Sequence, residues 1–199
     1  MAGLVLRLRN QARVEDNDQR GEKKMAVQIG AKPDSGFDDP IGMLKDCHRR
    51  IESFLSILCQ VAEHARALNA EESAAVQSAL RYFRTGGQRH TADEEESLFP
   101  RLRKTGAAER LPVVDRLEHD HREADDLHAS VDRLYSRWIL TNSLETEERR
   151  LLLSQTRLLR QIYTEHIQIE ETIVFPEAAR VLDKETIGDM GAEFSARRR

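Results

Sequence analysis

Read for the spacing of its apolar positions, the chain changes character at Pro40. Residues 1–38 are polar and charged without helical periodicity, as in "ARVEDNDQRGEKK" and "GAKPDSGFDDP", and the expectation there is a disordered or loosely attached tail. Met25 opens "MAVQIGAKPDSGFDDP" and would serve as a start of its own, which leaves Met1 and Met25 as alternative starts, residues 1–24 being an over-extension under the second. From Pro40, steps of three and four pick out Ile41, Leu44, His48, Ile51, Leu55, Leu58 and Ala62 as one stripe. Asp39 before Pro40 makes a sound helix start. A second stripe, opened by Asn69 and "AEE", runs Val76, Leu80, Phe83, Gly87, His90, Glu94 and Ser97. The third follows Pro112 with Val114, Leu117, His121, Ala124, His128, Val131, Tyr135 and Trp138. The fourth follows the turn "TNSLE" with Leu152, Thr156, Leu159, Tyr163, His166, Glu170 and Ile173. A shorter fifth segment, "DKETIGDMGAEFSARRR", comes after Pro176, and its basic run Arg197–Arg199 reads as a solvated end. No stretch alternates with period two for long enough to argue a strand.

These stripes predict an all-α fold, an antiparallel up-down four-helix bundle over residues 39–182. A short C-terminal helix and basic tail fill 183–199. The expected loops at 65–71, 104–111 and 140–145 are short enough to force neighbouring helices antiparallel.

Composition narrows the functional classes. The chain is 39% apolar and 33% charged, with five prolines and ten glycines, which suits long uninterrupted helices. Its net charge of −4 is spread with both signs interspersed, so no basic face suggests nucleic acid. Cys47 and Cys59 on one helix would lie about 18 Å apart, too far to bridge, and a reduced cytoplasmic protein is expected. The opening "MAGLVLRLRN" is too short and too arginine-rich for a secretory core, and no segment approaches a membrane span.

The chain also repeats itself. "HTADEEESLFP" at 90–100 and "HIQIEETIVFP" at 166–176 both read H-x-x-x-E-E-x-x-x-F-P, and "LKDCHRRIESFL" answers "LEHDHREADDL". A helical hairpin is written twice, each copy with a histidine on its first helix. Residues four apart project from adjacent turns of one face, so His90 and Glu94 point the same way, as do His166 and Glu170. Both pairs fall on stripes that should face the core, where an uncompensated carboxylate is expensive. With His48 and His121 they make four imidazoles and two carboxylates, a full set for two metal ions. Nitrogen and oxygen donors without thiolate suit iron or manganese, with zinc an alternative. The bland alternative is a bundle whose histidines are satisfied core residues.

The order His, H-x-x-x-E, His, H-x-x-x-E, with "EE…FP" after the paired motifs, resembles the hemerythrin-like, HHE cation-binding domain, over residues 40 to about 180. The resemblance implies a non-haem di-iron centre. His48, His90, His121 and His166 would be terminal ligands, and Glu94 and Glu170 would bridge. Helix 3 offers His119, His121 and His128; alignment of Leu117 on Leu44 favours His121, and His128, two turns on, reads as core or second shell. Classical hemerythrins carry a second histidine four residues after the first on helix 3, where this chain has Asp125; helix 1 has Glu52 at the corresponding place. That departure points toward family members with four histidines and two or three carboxylates. Those are associated with iron handling, repair of iron centres, and sensing of oxygen, nitric oxide or peroxide. Glu52, Asp125, His128 and Tyr163 are candidate second-shell residues, and Glu95 and Glu171 are expected to orient basic neighbours. Phe99-Pro100 and Phe175-Pro176 are read as architecture: an aromatic closing the core, then a residue that kinks or ends the helix. The alternative function is a metal-free interaction or regulatory module that keeps the motif without its chemistry.

Overall fold

The structure, a computed structural model, describes residues 34–64, 66–105 and 111–199; of the tail expected over 1–38, residues 1–33 lie outside the described residues. Four helical rods form the bundle. The first, α1 (Pro40–Ala62), starts where the sequence places it: the Asp39 side chain accepts from the Gly42 N–H, and Pro40 occupies the first turn. Residues 34 and 35 lie against this helix, with Arg50 on Asp34 and the Ser35 N–H donating to Asp46.

The second rod begins with α2 (Ala70–Tyr82), opened by a capping box between Asn69 and Glu72. It continues through a π-helical turn at Phe83–Gly87, α3 (Gln88–Ala92), a second π-turn at Asp93–Leu98 and α4 (Phe99–Lys104). Next comes α5 (Leu111–Thr141). The fourth rod is α6 (Thr146–Ile169), a π-turn at Glu170–Val174 and α7 (Phe175–Val181). The chain then turns at Asp183, whose side chain caps α8 (Lys184–Ala196). The all-α bundle with a short C-terminal helix is therefore the observed fold, and α1–α6 and α5–α6 are its most extensive pairings.

One expectation changes at the Phe-Pro pairs. Neither proline ends its helix; α4 and α7 run on past Pro100 and Pro176 with helical backbone at the joins. Proline has no N–H and its ring clashes with the carbonyl four residues back. Those carbonyls belong to Glu96 and Thr172, each inside the π-turn that comes immediately before the Phe-Pro. The wider turn accommodates the lost hydrogen bond, and it is on these two turns that Glu94 and Glu170 sit.

The core is layered. One apolar cluster, with Ile51, Leu55, Leu58, Leu80, Tyr135 and Trp138, fills the end of the bundle nearest the 140–145 loop. A second, with Leu44, Leu98, Phe99, Leu117, Phe175 and Phe194, fills the other end. Buried histidines and glutamates occupy the level between them, since His48 lies between Leu44 and Ile51 on α1, and His121 between Leu117 and Ala124 on α5.

The C-terminal basic run corrects a second expectation. Arg199 is exposed, but Arg197 and Arg198 have side chains only 18% and 21% exposed and both grip Asp93, which is 0% exposed. Arg197 Nη1 lies 2.9 Å from Asp93 Oδ1 and Arg198 Nη2 2.6 Å from Asp93 Oδ2. Ser97 donates to Glu193, which is also held by Arg101 at 2.8 Å. The helix α8 is thereby strapped across the π-turn that carries Glu94. Gly191 lets α8 also lie close to the turn before α1, because a Cβ there would meet the carbonyl oxygen of Phe37 at 1.9 Å.

Candidate metal centre

His48, His90, His121 and His166, one from each rod, converge with Glu94 and Glu170 in the polar layer; all six are buried. The histidine rings pair as His48 with His90, centroids 5.0 Å apart, and His121 with His166, 4.7 Å apart. Potential ligand atoms of His48, His90, Glu94 and Glu170 lie within 4.8 Å of one another, and those of Glu94, His121 and His166 form a second such group.

Both carboxylates span the two groups. Glu94 Oε1 is 3.3 Å from His90 Nε2 and 3.9 Å from His48 Nε2, while its Oε2 is 3.3 Å from His121 Nε2. Glu170 Oε2 is 3.0 Å from His48 Nε2 and 3.4 Å from His166 Nε2. Despite these short approaches, both oxygens of both glutamates, and His48 Nε2 and His166 Nε2, make no aligned hydrogen bond. An unsatisfied buried polar atom costs about 1–3 kcal/mol, and a charged one more. A constellation that gathers so many, each aimed at a shared point, fits metal coordination and fits a satisfied hydrogen-bonded core poorly. The donor set, imidazole with bridging-capable carboxylate and no thiolate, suits iron, manganese or zinc.

The outer nitrogens show how the repeated motif holds its partner helix. His121 Nδ1 is 2.8 Å from Glu95 Oε1, and His48 Nδ1 is 2.9 Å from Glu171 Oε1. The motif phenylalanines land on the same two rings: Phe99 stacks on His121 at 6.2 Å and Phe175 on His48 at 5.4 Å, each tilted by 12°. Each H-x-x-x-E-E-x-x-x-F-P string thus points its own histidine and first glutamate inward. Its second glutamate and phenylalanine fix the imidazole of the neighbouring rod. Glu95 and Glu171 do orient basic neighbours, as expected, and those neighbours are the core histidines.

The symmetry stops there. His166 Nδ1 faces Asp120 Oδ2 at 3.5 Å, and His90 Nδ1 has no hydrogen-bond partner among the described residues. Asp120 escaped the sequence reading, although its place one residue before His121 was a usable signal. Of the second-shell candidates, Glu52 is exposed on α1, and Asp125 is exposed on α5. Tyr163 is buried with its ring 6.4 Å from that of His166, and its hydroxyl pairs with His128 Nε2 at 3.1 Å. His119 is exposed.

Burial opposes charge on every one of these imidazoles, and the carboxylates decide how each responds. Against it, Glu94 and Glu95 hold His121 up at about 10, and Glu170 with Asp120 holds His166 up at about 9. Glu170 and Glu94 keep His48 well above the ordinary histidine range. For His90, burial outweighs the pull of Glu94 and drives it down to about 4. Burial would also raise both carboxyls, yet the surrounding imidazoles keep Glu94 and Glu170 below the usual carboxylate range. The layer is built to hold two anions around cationic charge.

A family model for the hemerythrin HHE cation-binding domain matches residues 39–178, the span that carries all four rods and all six inward residues. The chain belongs to this hemerythrin family. No curated protein matches it. As a hemerythrin HHE domain, it has two buried His/Glu clusters sharing Glu94, consistent with a non-haem di-iron centre. Among the described residues, no helix is long and apolar enough to cross a membrane.

Proposed function

We propose that this chain is a non-haem di-iron protein that binds or reacts with oxygen, nitric oxide or peroxide, or handles iron for sensing, storage or iron-centre repair. The single observation that supports it most is that two buried, hydrogen-bond-starved carboxylates each lie within 4 Å of imidazoles from both ligand groups. In this reading His48 and His90 would hold one metal and His121 and His166 the other, with Glu94 and Glu170 as the carboxylates the two would share. Bound iron supplies one-electron chemistry and a Lewis-acid position for a small ligand. The chain's own residues do the rest. Glu95, Glu171 and Asp120 fix the outer nitrogens and so the ring orientations, which raises ligand basicity. Phe99 and Phe175 cover two of the rings and exclude water, and the Tyr163–His128 pair walls the remaining side.

The unit carrying this function is proposed as residues 39–182, with 183–199 as its strap and 1–38 as a tail. A reduced, cytoplasmic setting suits the free Cys47 and Cys59. The proposal is tested by the visible spectrum of iron-loaded protein under argon, air, nitric oxide and peroxide. A saturable spectral change with one of these supports it. Iron-loaded protein whose spectrum responds to none of them would contradict the proposed reactivity, and folded protein that takes up no metal would favour the metal-free interaction module.

A further inference from the structure

A cavity of about 380 Å³ opens beside the polar layer, between the π-turn Phe83–Gly87 and α5. Three of its lining residues come from three rods and each stands close in sequence to an inward histidine. Thr91 follows His90, Asp125 is one turn past His121, and Tyr163 is one turn before His166. Tyr163 lines the cavity, and its ring centroid is 6.4 Å from that of His166 and 6.4 Å from that of Phe83. The buried part of the lining is Leu58, Leu80, Phe83, Val131 and Tyr163, with the Tyr163–His128 hydrogen bond among them, while the polar lining residues Gln88, Thr91 and Asp125 are more exposed.

The charged lining residues, Arg84, Asp125, Asp132 and Arg133, lie at the more exposed rim, two of each sign. Arg84 grips Asp132 through two hydrogen bonds of 2.5 and 2.7 Å across the mouth, joining the second rod to α5. Burial pushes His128 down to about 4, so the inner imidazole is neutral at physiological pH. An anion entering such a wall would lose its hydration without a cationic partner, a cost an uncharged molecule avoids. At roughly 30 Å³ per water, the volume exceeds what a diatomic alone requires.

We propose that this cavity is the chamber through which small uncharged molecules reach the metal centre, with Tyr163, braced by His128, as its inner wall. The inference rests on the di-iron reading for its purpose but not for its existence. It assigns the substrate class as neutral molecules, such as nitric oxide or undissociated peroxide, that can share a hydrogen bond with the Tyr163–His128 pair.

Gly87 offers a way to fill the chamber. It lines the cavity inside a helical rod, and a Cβ there meets only ordinary contacts, the nearest being Phe83 Cδ1 at 3.5 Å. The Gly87→Leu chain is therefore compared with the wild type in two forms. In the full chain loaded with zinc, which is diamagnetic and redox-silent, dissolved xenon is titrated while the methyl signals of Leu58, Leu80 and Val131 are followed. Saturable shifts in the wild type that vanish in Gly87→Leu are expected; no xenon shifts in the wild type, or equal shifts in both, overturn the chamber. In the iron-loaded chains, Gly87→Leu is expected to bind nitric oxide with an unchanged final spectrum but roughly ten- to a hundredfold more slowly. Association within about twofold of wild type overturns its role as the route. Wild-type protein with two irons that ignores nitric oxide and peroxide alike would instead sink the proposed reactivity of the centre, and the xenon result would still decide the chamber. Ala129→Trp, placed at the cavity's exposed edge, repeats both measurements should Gly87→Leu not fold.

Discussion

Glu171 Oε1 lies 2.9 Å from His48 Nδ1, a bond between residues 123 positions apart that ties the start of the first rod to the end of the fourth. Its counterpart joins Glu95 to His121 at 2.8 Å. The two bonds explain why the repeated string carries a glutamate pair. The first acid of each pair faces the shared centre, and the second reaches sideways to orient an imidazole on a rod of the other hairpin.

This arrangement predicts a graded loss. Glu171→Ala should keep the fold, because that side chain is 40% exposed, yet lower metal affinity by about 10- to 100-fold, as loss of an orienting partner typically does. Glu52→Ala, on an exposed site of α1, should leave affinity unchanged. Competition titration with a chelator measures both, and equal affinities for Glu171→Ala and wild type would show the bond to be incidental.

The π-turns predict a dissociation of stability from binding. Pro176→Ala restores an N–H and removes the ring that disfavours an ordinary α-turn before it. The Glu170–Val174 turn is then free to tighten, which re-aims Glu170. Thermal unfolding should be little changed or slightly improved, while metal affinity falls by about tenfold or more. Unchanged affinity would mean that packing, not proline, sets the turn.

The strap from α8 predicts a stability effect. Arg197→Ala with Arg198→Ala leaves Asp93 buried without a cationic partner from the C-terminus. Breaking a buried ion pair from one side costs about 3–5 kcal/mol. Denaturant unfolding should register a loss of that order in the double variant and less in either single one, since each leaves one arginine in place.

Proton binding predicts opposite pH slopes with and without metal. His166 and His121, near 9 and 10 in the folded chain against an ordinary value near 6.5, contribute stability that is complete below the ordinary value. That contribution is lost as pH rises through 9 and 10. Chelator-treated protein should therefore melt at a lower temperature at about pH 9.5 than at about pH 7. Zinc-loaded protein should gain relative to it over the same interval, because uptake requires neutral imidazoles and displaces these protons. Parallel melting curves in the two forms would contradict the shared use of these nitrogens.

How much of this was legible in the sequence follows from what each feature depends on. Helical stripes and the four inward histidines depend on spacing within one helix, so His48, His90, His121 and His166, and both glutamates at +4, could be read directly. Asp120, Glu95 and Glu171 act across helices, and their partners depend on the rotation of one rod against another. Spacing suggested only that the two glutamates orient something basic. Arg197 and Arg198 looked like a solvated end because charge runs usually are; only the return of α8 across the second rod brings Asp93 within reach. The π-turns were hidden for a different reason. Proline signals a break in the hydrogen-bond ladder, but the Phe-Pro spelling is the same for a kink, a stop and a widened turn.

Metal content of the full chain purified from iron-replete cells tests the central claim most directly. Two irons per chain are expected, one for each ligand group, falling sharply when Glu94 and Glu170 are together changed to alanine in a protein that keeps its helical signal. Well-folded wild-type protein that carries no iron and takes up none on reconstitution would contradict the account.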